Sequence, residues 1–160
     1  MKKIILFRHA KSRWDMGVSD LKRDLEEIGI DRTEKSAAYL SSIPDLKIDA
    51  WFTSPAVRAK KTAKLAVQQF KENPEIQVLE NLYTFSFFDL LKEVKKLDDS
   101  IQTAILFGHN EAFTEFANRM GNEYLYNLPT SGIAILSFDT DHWKEIERGE
   151  TLSIIKPKKL

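Results

Sequence analysis

Three short runs of the chain are apolar almost without interruption: Lys3–Phe7 (KIILF), Ile48–Phe52 (IDAWF) and Thr103–Phe107 (TAILF). Short runs rich in Ile, Leu and Phe, with little polar alternation, fit strands covered on both faces. Helical signals lie between them. Asp31-x-x-Glu34 has the form of a capping box and predicts a helix through about Leu40. Ser54-Pro55, a cap residue followed by proline at a first helical position, predicts a helix through about Phe70. Leu90, Leu91, Val94 and Leu97 recur at helical spacing, and Asn110 is placed to cap a helix over Glu111–Met120. Gln77–Leu79 is a weaker strand, and Ile133–Phe138 and Thr151–Ile155 read as late strands near an edge. Alternating strands and helices predict an α/β layer structure with a largely parallel sheet. With no repeat, low-complexity segment or flexible linker, residues 1–160 read as one domain.

Composition narrows the chemistry. The chain has 24 Lys and Arg against 24 Asp and Glu, so bulk positive charge for nucleic-acid binding is absent. It contains no cysteine, which excludes disulfides, thiolate metal sites and a cysteine nucleophile. The basic start Met1-Lys2-Lys3 is followed by only Ile4 to Phe7, too short for a signal segment. No run approaches the roughly 18 apolar residues of a membrane span. The expectation is a cytoplasmic protein with no membrane or nucleic-acid partner.

In open α/β sheets, ligands bind beyond the carboxyl ends of the strands. The first strand is followed by Arg8-His9, the TAILF strand by Gly108-His109-Asn110, and the IDAWF strand by Thr53-Ser54-Pro55, with Arg58 one turn further on. Each residue alone is unremarkable in a surface loop. Together, two histidines and two arginines at strand exits point to an anion site. Arginine offers a planar fork of donors that pairs with phosphate oxygens and keeps its charge. The helix opening near Ser54 would aim free N–H groups at the same place. A histidine beside such charges is pushed toward its neutral, nucleophilic form and can carry a phosphoryl group covalently. The second histidine can then donate to the transferring oxygens.

The stretch Leu6-Phe7-Arg8-His9-Ala10-Lys11-Ser12-x-Trp14 resembles the opening of the histidine phosphatase superfamily, and more narrowly its small SixA-type phosphohistidine phosphatase branch. Similar features follow in order: Asp20-x-x-Arg23-x-Leu25 with Gly29, Thr53-Ser54-Pro55-x-x-Arg58-Ala59-x-x-Thr62-Ala63, Gly108-His109-Asn110, Leu128-Pro129-Thr130-Ser131-Gly132 and the tail from Trp143 to Pro157. The resemblance implies a three-layer α/β/α sandwich with a mostly parallel central sheet, like that of phosphoglycerate mutases. It implies that His9 is the phosphorylated nucleophile, that Arg8, Arg58 and His109 complete the phosphate pocket, and that no metal or other cofactor takes part. Asn110, Ser131 and Gly132 are implied as lining positions for substrate.

One departure concerns the general acid that larger superfamily members carry after the second helix. Glu80 and Asp89 are available here but match no pattern; an ordinary surface charge and a helix cap are the plainer readings. Without an acid, the expected substrate is a phosphate monoester or phosphoramidate with a good leaving group, carried on a protein or a small molecule, with protein phosphohistidine foremost. A phosphoglycerate-mutase-like transferase, a non-catalytic phosphoprotein-binding module and a metal hydrolase using His9 and His109 are the alternatives. Only 50 residues separate Arg58 from His109, which predicts an open pocket; Tyr83, Phe85, Phe87 and Phe88 are candidates for its wall, although core packing is the simpler role. Asp20 and Arg23 read as an ion pair tying the first long loop. Lys11 and Ser12 read as loop residues near the anion, and His142 as a turn residue.

Overall fold

A computed structural model describes residues 1–160. Six strands form one mixed sheet: β1 (Lys2–Arg8), β2 (Ala50–Thr53), β3 (Ile76–Val78), β4 (Thr103–Gly108), β5 (Ile133–Phe138) and β6 (Glu150–Ile155). Their spatial order is β3-β2-β4-β1-β5-β6. The first four are mutually parallel, while β5 runs antiparallel to β1 and β6 antiparallel to β5. Four helices complete the layers: α1 (Glu27–Ser41), α2 (Val57–Val67), α3 (Phe87–Lys95) and α4 (Ala112–Met120). The fold is thus the α/β/α sandwich expected, with its antiparallel strands confined to one edge.

The uninterrupted apolar runs are explained by two cores, one on each face. Ile5, Phe7, Ile105 and Phe107 point into a cluster with Ala37 and Leu40 of α1 and Ala63 and Ala66 of α2. Ile4, Leu6, Ala104 and Leu106 point the other way, against Leu90 and Val94 of α3 and Phe113, Phe116 and Ala117 of α4. The face shared with α3 and α4 holds most of the aromatic bulk. Truncating a fully buried residue such as Leu6 to alanine should cost on the order of 2–5 kcal/mol, because the rigid sheet collapses poorly onto the cavity.

Several boundaries differ from the sequence reading. Helix α1 begins a turn earlier than Asp31, which lies inside it and pairs with Lys35 at 3.4 Å. The early start depends on Gly29: a Cβ there would meet the Lys11 carbonyl oxygen at 2.7 Å, so glycine lets the first turn pack against the loop leaving β1. Helix α2 starts at Val57 with Pro55 outside it, and the Ser54 hydroxyl accepts from the Ala56 N–H at 3.1 Å. Ser86, not Asp89, caps α3 by accepting from the Asp89 N–H. Asn110 lies upstream of α4 yet its Oδ1 accepts from the Thr114 N–H at 3.1 Å.

Candidate active site

Strand register brings the histidines together. Arg8 of β1 is paired with Gly108 of β4, and the ladder continues one step further, the His9 N–H donating to the Gly108 carbonyl at 3.0 Å. His9 and His109 therefore leave neighbouring parallel strands at the same level, and their ring centroids lie 5.3 Å apart, close to the inter-strand spacing. From the other side of β4, the Ser54 N–H donates to the Phe107 carbonyl at 3.0 Å, which sets the start of α2 beside the same edge. Arg58, in the first turn of α2, reaches back over it.

The Arg58 guanidinium is 1% exposed and links the cluster. Its Nε donates to His9 Nε2 at 3.4 Å, and one terminal nitrogen approaches His109 Nδ1 at 3.3 Å. The same nitrogen donates to Asp20 Oδ2 at 2.9 Å, and the other donates to the Asp20 carbonyl at 2.6 Å. Arg8 is half-buried; one terminal nitrogen donates to the Leu128 carbonyl at 2.7 Å, while its buried Nε has no protein partner.

Hydrogen bonds define the tautomer of each ring. His9 Nδ1 lies 2.7 Å from the Ala10 carbonyl oxygen, which can only accept, so Nδ1 carries the proton and Nε2 keeps its lone pair facing Arg58. His109 Nδ1 receives an Arg58 N–H, so its proton sits on Nε2, 2.7 Å from the Ser54 hydroxyl. Burial pushes the His9 pKa down to about 3; the Ala10 carbonyl opposes this, and Arg58, Arg8 and Arg23 reinforce it. Burial likewise takes His109 down to about 2, helped by His9 and Arg58. Both rings are neutral near pH 7. The sequence reading credited the arginine charges with this effect; desolvation is the larger cause.

The roof comes from two segments. The loop after β1 carries Asp20, whose carboxylate also accepts from the Tyr83 hydroxyl at 2.5 Å and pairs with Arg23 at 3.2 Å. Arg23 is bonded to Ser12 and lies under the Trp14 ring, 3.6 Å from its centroid. The turn before α3 supplies Tyr83 and Phe85, whose rings meet His109 at 5.3 and 5.5 Å. His9 and His109 are consequently only 7% and 1% exposed, so the pocket is more covered than the short Arg58–His109 interval suggested. Phe87 enters the core, and Phe88 is exposed.

Asn110, Ser131 and Gly132 sit beside the cluster, but their polar groups face the protein. The Asn110 amide donates to Asn127 at 2.7 Å. Ser131, in the left-handed region at φ 60°, shares its N–H between the carbonyls of Arg8 and His9, while its hydroxyl bonds Thr33 at 2.8 Å. The Gly132 carbonyl accepts from the Arg8 N–H at 3.0 Å. Ser131 and Gly132 hold the exit of β1 in place, and Asn110 ties the start of α4 to the Asn127–Leu128 segment.

Neither Glu80 nor Asp89 bonds to any of the four cluster residues; Asp89 accepts only from Thr84 and from nothing in the site. The carboxylate at the cluster is Asp20. Its ion pair with Arg23 exists as expected, but the same group reaches Arg58, a contact hidden in the sequence by a separation of 38 positions. An excess of buried arginines demanding a counter-charge was the available signal. Lys11 is exposed and pairs with Glu26 at 3.6 Å. His142 lies by the far end of the sheet, bonded to Asp99 at 3.0 Å. No three His, Asp or Glu side chains converge in metal-binding geometry.

Residues 4–123 match the histidine phosphatase superfamily (branch 1). The chain belongs to that superfamily. As a histidine phosphatase it is a hydrolase acting through a histidine. The Mycobacterium tuberculosis protein Rv1276c is 26% identical over 153 residues, covering 89% of this chain and 92% of its own. Among solved structures, the protein histidine phosphatase SixA complexed with tungstate superposes with a TM-score of 0.83 at 19% identity, with 98% of each chain covered. A SixA-type protein from Agrobacterium tumefaciens, assigned as a phosphohistidine phosphatase, gives 0.82 at 24% identity, again over 98% of each chain. A phosphoserine phosphatase from Entamoeba histolytica, in complex with 3-phosphoglyceric acid, shares the fold less closely, at 0.61 and 16% identity over 98% of each chain. No helix of this histidine phosphatase is long and apolar enough to cross a membrane.

Proposed function

We propose that residues 1–160 act as one phosphohistidine phosphatase domain whose nucleophile is His9. The observation that carries this reading is the orientation of His9: its Nδ1–H is held by the Ala10 carbonyl, and its Nε2 lone pair faces the guanidinium of Arg58. A neutral imidazole held this way needs no base to activate it. Nε2 attacks phosphorus, the bond from phosphorus to the leaving atom breaks, and the electron pair goes to that atom. The resulting phosphoimidazolium keeps its Nδ1–H on Ala10. Water then attacks phosphorus, the P–Nε2 pair returns to His9, and the water's proton passes to the released phosphate.

Arg8, Arg58 and His109 hold the phosphoryl oxygens. The unpartnered Nε of Arg8 is a donor awaiting an acceptor. Arg8, Arg23 and Arg58 against Asp20 leave a formal charge of +2, which a phosphoryl dianion neutralises. With phosphate bound, His109 can change tautomer by exchange with solvent, losing the proton on Nε2 and taking one on Nδ1; the Ser54 hydroxyl then turns to donate to Nε2, and Nδ1–H donates to a phosphoryl oxygen. Tungstate, bound in a SixA relative, is an oxyanion of similar shape. The substrate is read as a phosphorylated histidine of a protein because the residue 80–89 segment offers no carboxylic acid to the site, and an N–P bond breaks without one.

The test is chemical. Incubation with a labelled phosphodonor followed by quenching should trap an acid-labile, base-stable phosphoryl group, and His9→Ala should abolish both label and turnover. Label persisting on a folded His9→Ala variant would overturn the assignment.

A further inference from the structure

We propose that Asp20 recognises the leaving imidazole of a phosphohistidine substrate and makes the site selective for N–P over O–P bonds. The inference rests on the phosphohistidine reading above and adds the residue that enforces it.

Asp20 is the carboxylate hydrogen-bonded at the cluster. Its Oδ2 accepts from Arg58 and Tyr83, and its Oδ1 accepts two N–H groups of Arg23, at 3.3 and 3.2 Å. These contacts occupy the carboxylate's usual lone-pair positions, but the two from Arg23 share one oxygen and are long for charge-assisted bonds, so a donor arriving from solvent can displace one of them. Solvent reaches the group: the Asp20 side chain is 42% exposed although Arg58 beneath it is 1% exposed. One guanidinium spans the geometry, touching the His9 lone pair at its Nε and Asp20 at its far nitrogen. A phosphoryl group held by Arg58 and attacked by Nε2 would expel its leaving group away from His9, toward the mouth where Asp20 sits.

The fit is to a cation bearing an N–H. Burial alone would raise the Asp20 pKa, but hydrogen bonds from Tyr83 and Arg58 hold it at about 2, so the group is an anion and a poor proton donor. It cannot serve an alkoxide leaving group, which must receive a proton. It can accept a hydrogen bond from the distal ring N–H of a protonated phosphohistidine. The step then balances without an enzyme acid: the P–N pair collapses into the cationic ring, and a neutral imidazole departs with its distal N–H still on Asp20. Glu111 is the other acid acting on the site arginines; it influences Arg8 through space and makes no side-chain hydrogen bond to the cluster.

The experiment compares two substrates, a phosphohistidine peptide and p-nitrophenyl phosphate, whose leaving group needs no partner. Asp20→Asn should lower kcat/KM for the phosphohistidine peptide by about ten- to a hundredfold more than for the aryl phosphate, the range of one charge-assisted hydrogen bond, while any loosening of Arg58 falls on both substrates alike. Asp20→Glu should recover part of the selectivity. Equal losses on both substrates would show that Asp20 merely holds Arg58, and no loss on either would show that it does nothing; both outcomes overturn the inference while leaving the phosphohistidine reading intact. A wild-type protein that cleaves the aryl phosphate but not the peptide would overturn that reading and this inference together.

Discussion

The two ends of β1 solve opposite electrostatic problems. At its start, Lys2 is fully buried, with its ammonium donating to the carbonyls of Asp99 and Ile101 and lying over the Trp143 ring. Nearby His142 is exposed and pairs with Asp99, whose hydrogen bond and charge raise its pKa. At its end, Arg8 and His9 lie among guanidinium groups, and burial drives both histidine pKa values down. One end keeps its cation by surrounding it with oxygen; the other keeps its histidines neutral by removing water and crowding them with cations. The first arrangement stabilises the fold, and the second leaves donors and a lone pair waiting for an anion.

Removing the bridge at the site end should have the largest effect. Arg58→Ala should lower kcat/KM for p-nitrophenyl phosphate by about a hundred- to a thousandfold, roughly 3–4 kcal/mol of transition-state stabilisation; a fold-competent variant within a few-fold of wild type would break the contrast between the ends. Acid should come next. His9 and His109 bind protons in the unfolded chain from about pH 6.5 downward but resist them when folded until about pH 3 and about pH 2. Stability contributed by these rings is therefore present above pH 6.5 and lost on acidification, by up to about 1.4 kcal/mol per pH unit for each ring. Urea melts from pH 7 to pH 4 would measure it. At the other end, Lys2→Met should cost about 2 kcal/mol by leaving the Asp99 carbonyl unpaired, with kcat/KM unchanged. Smallest is His142→Ala. Because its folded pKa is raised, His142 stabilises below the unfolded value and loses that contribution as pH rises through the folded one. Its removal should leave activity alone and make the acid melt slightly steeper.

The strands were legible because burial on both faces writes an unbroken apolar run, and Ile133–Phe138 was read with the bounds the structure has. The meeting of Arg8, His9, Arg58 and His109 was legible because parallel strands deliver their exits to one edge. Helix starts were less so. Asp31 and Glu34 look like a cap, but packing of Gly29 against Lys11 moved the start of α1 upstream. Asp20 was seen only as half of an ion pair, because its contact with Arg58 depends on how a long loop folds back, and no local pattern encodes that. Ser131 and Gly132 were noticed as neighbours of the site, but the left-handed turn at Ser131, which spends its N–H on the exit of β1, has no signature in the sequence.

The two histidines also differ in what they can survive. His9 takes its orientation from a peptide carbonyl, that of Ala10, and every amino acid supplies one. No replacement of residue 10 deletes that acceptor; only a change in the path of the chain does. His109 hangs on the hydroxyl of Ser54, which a single codon change removes. Drift among relatives should thus erode the second imidazole's alignment long before the first, and variants tuned in rate rather than inactivated should be found at position 54.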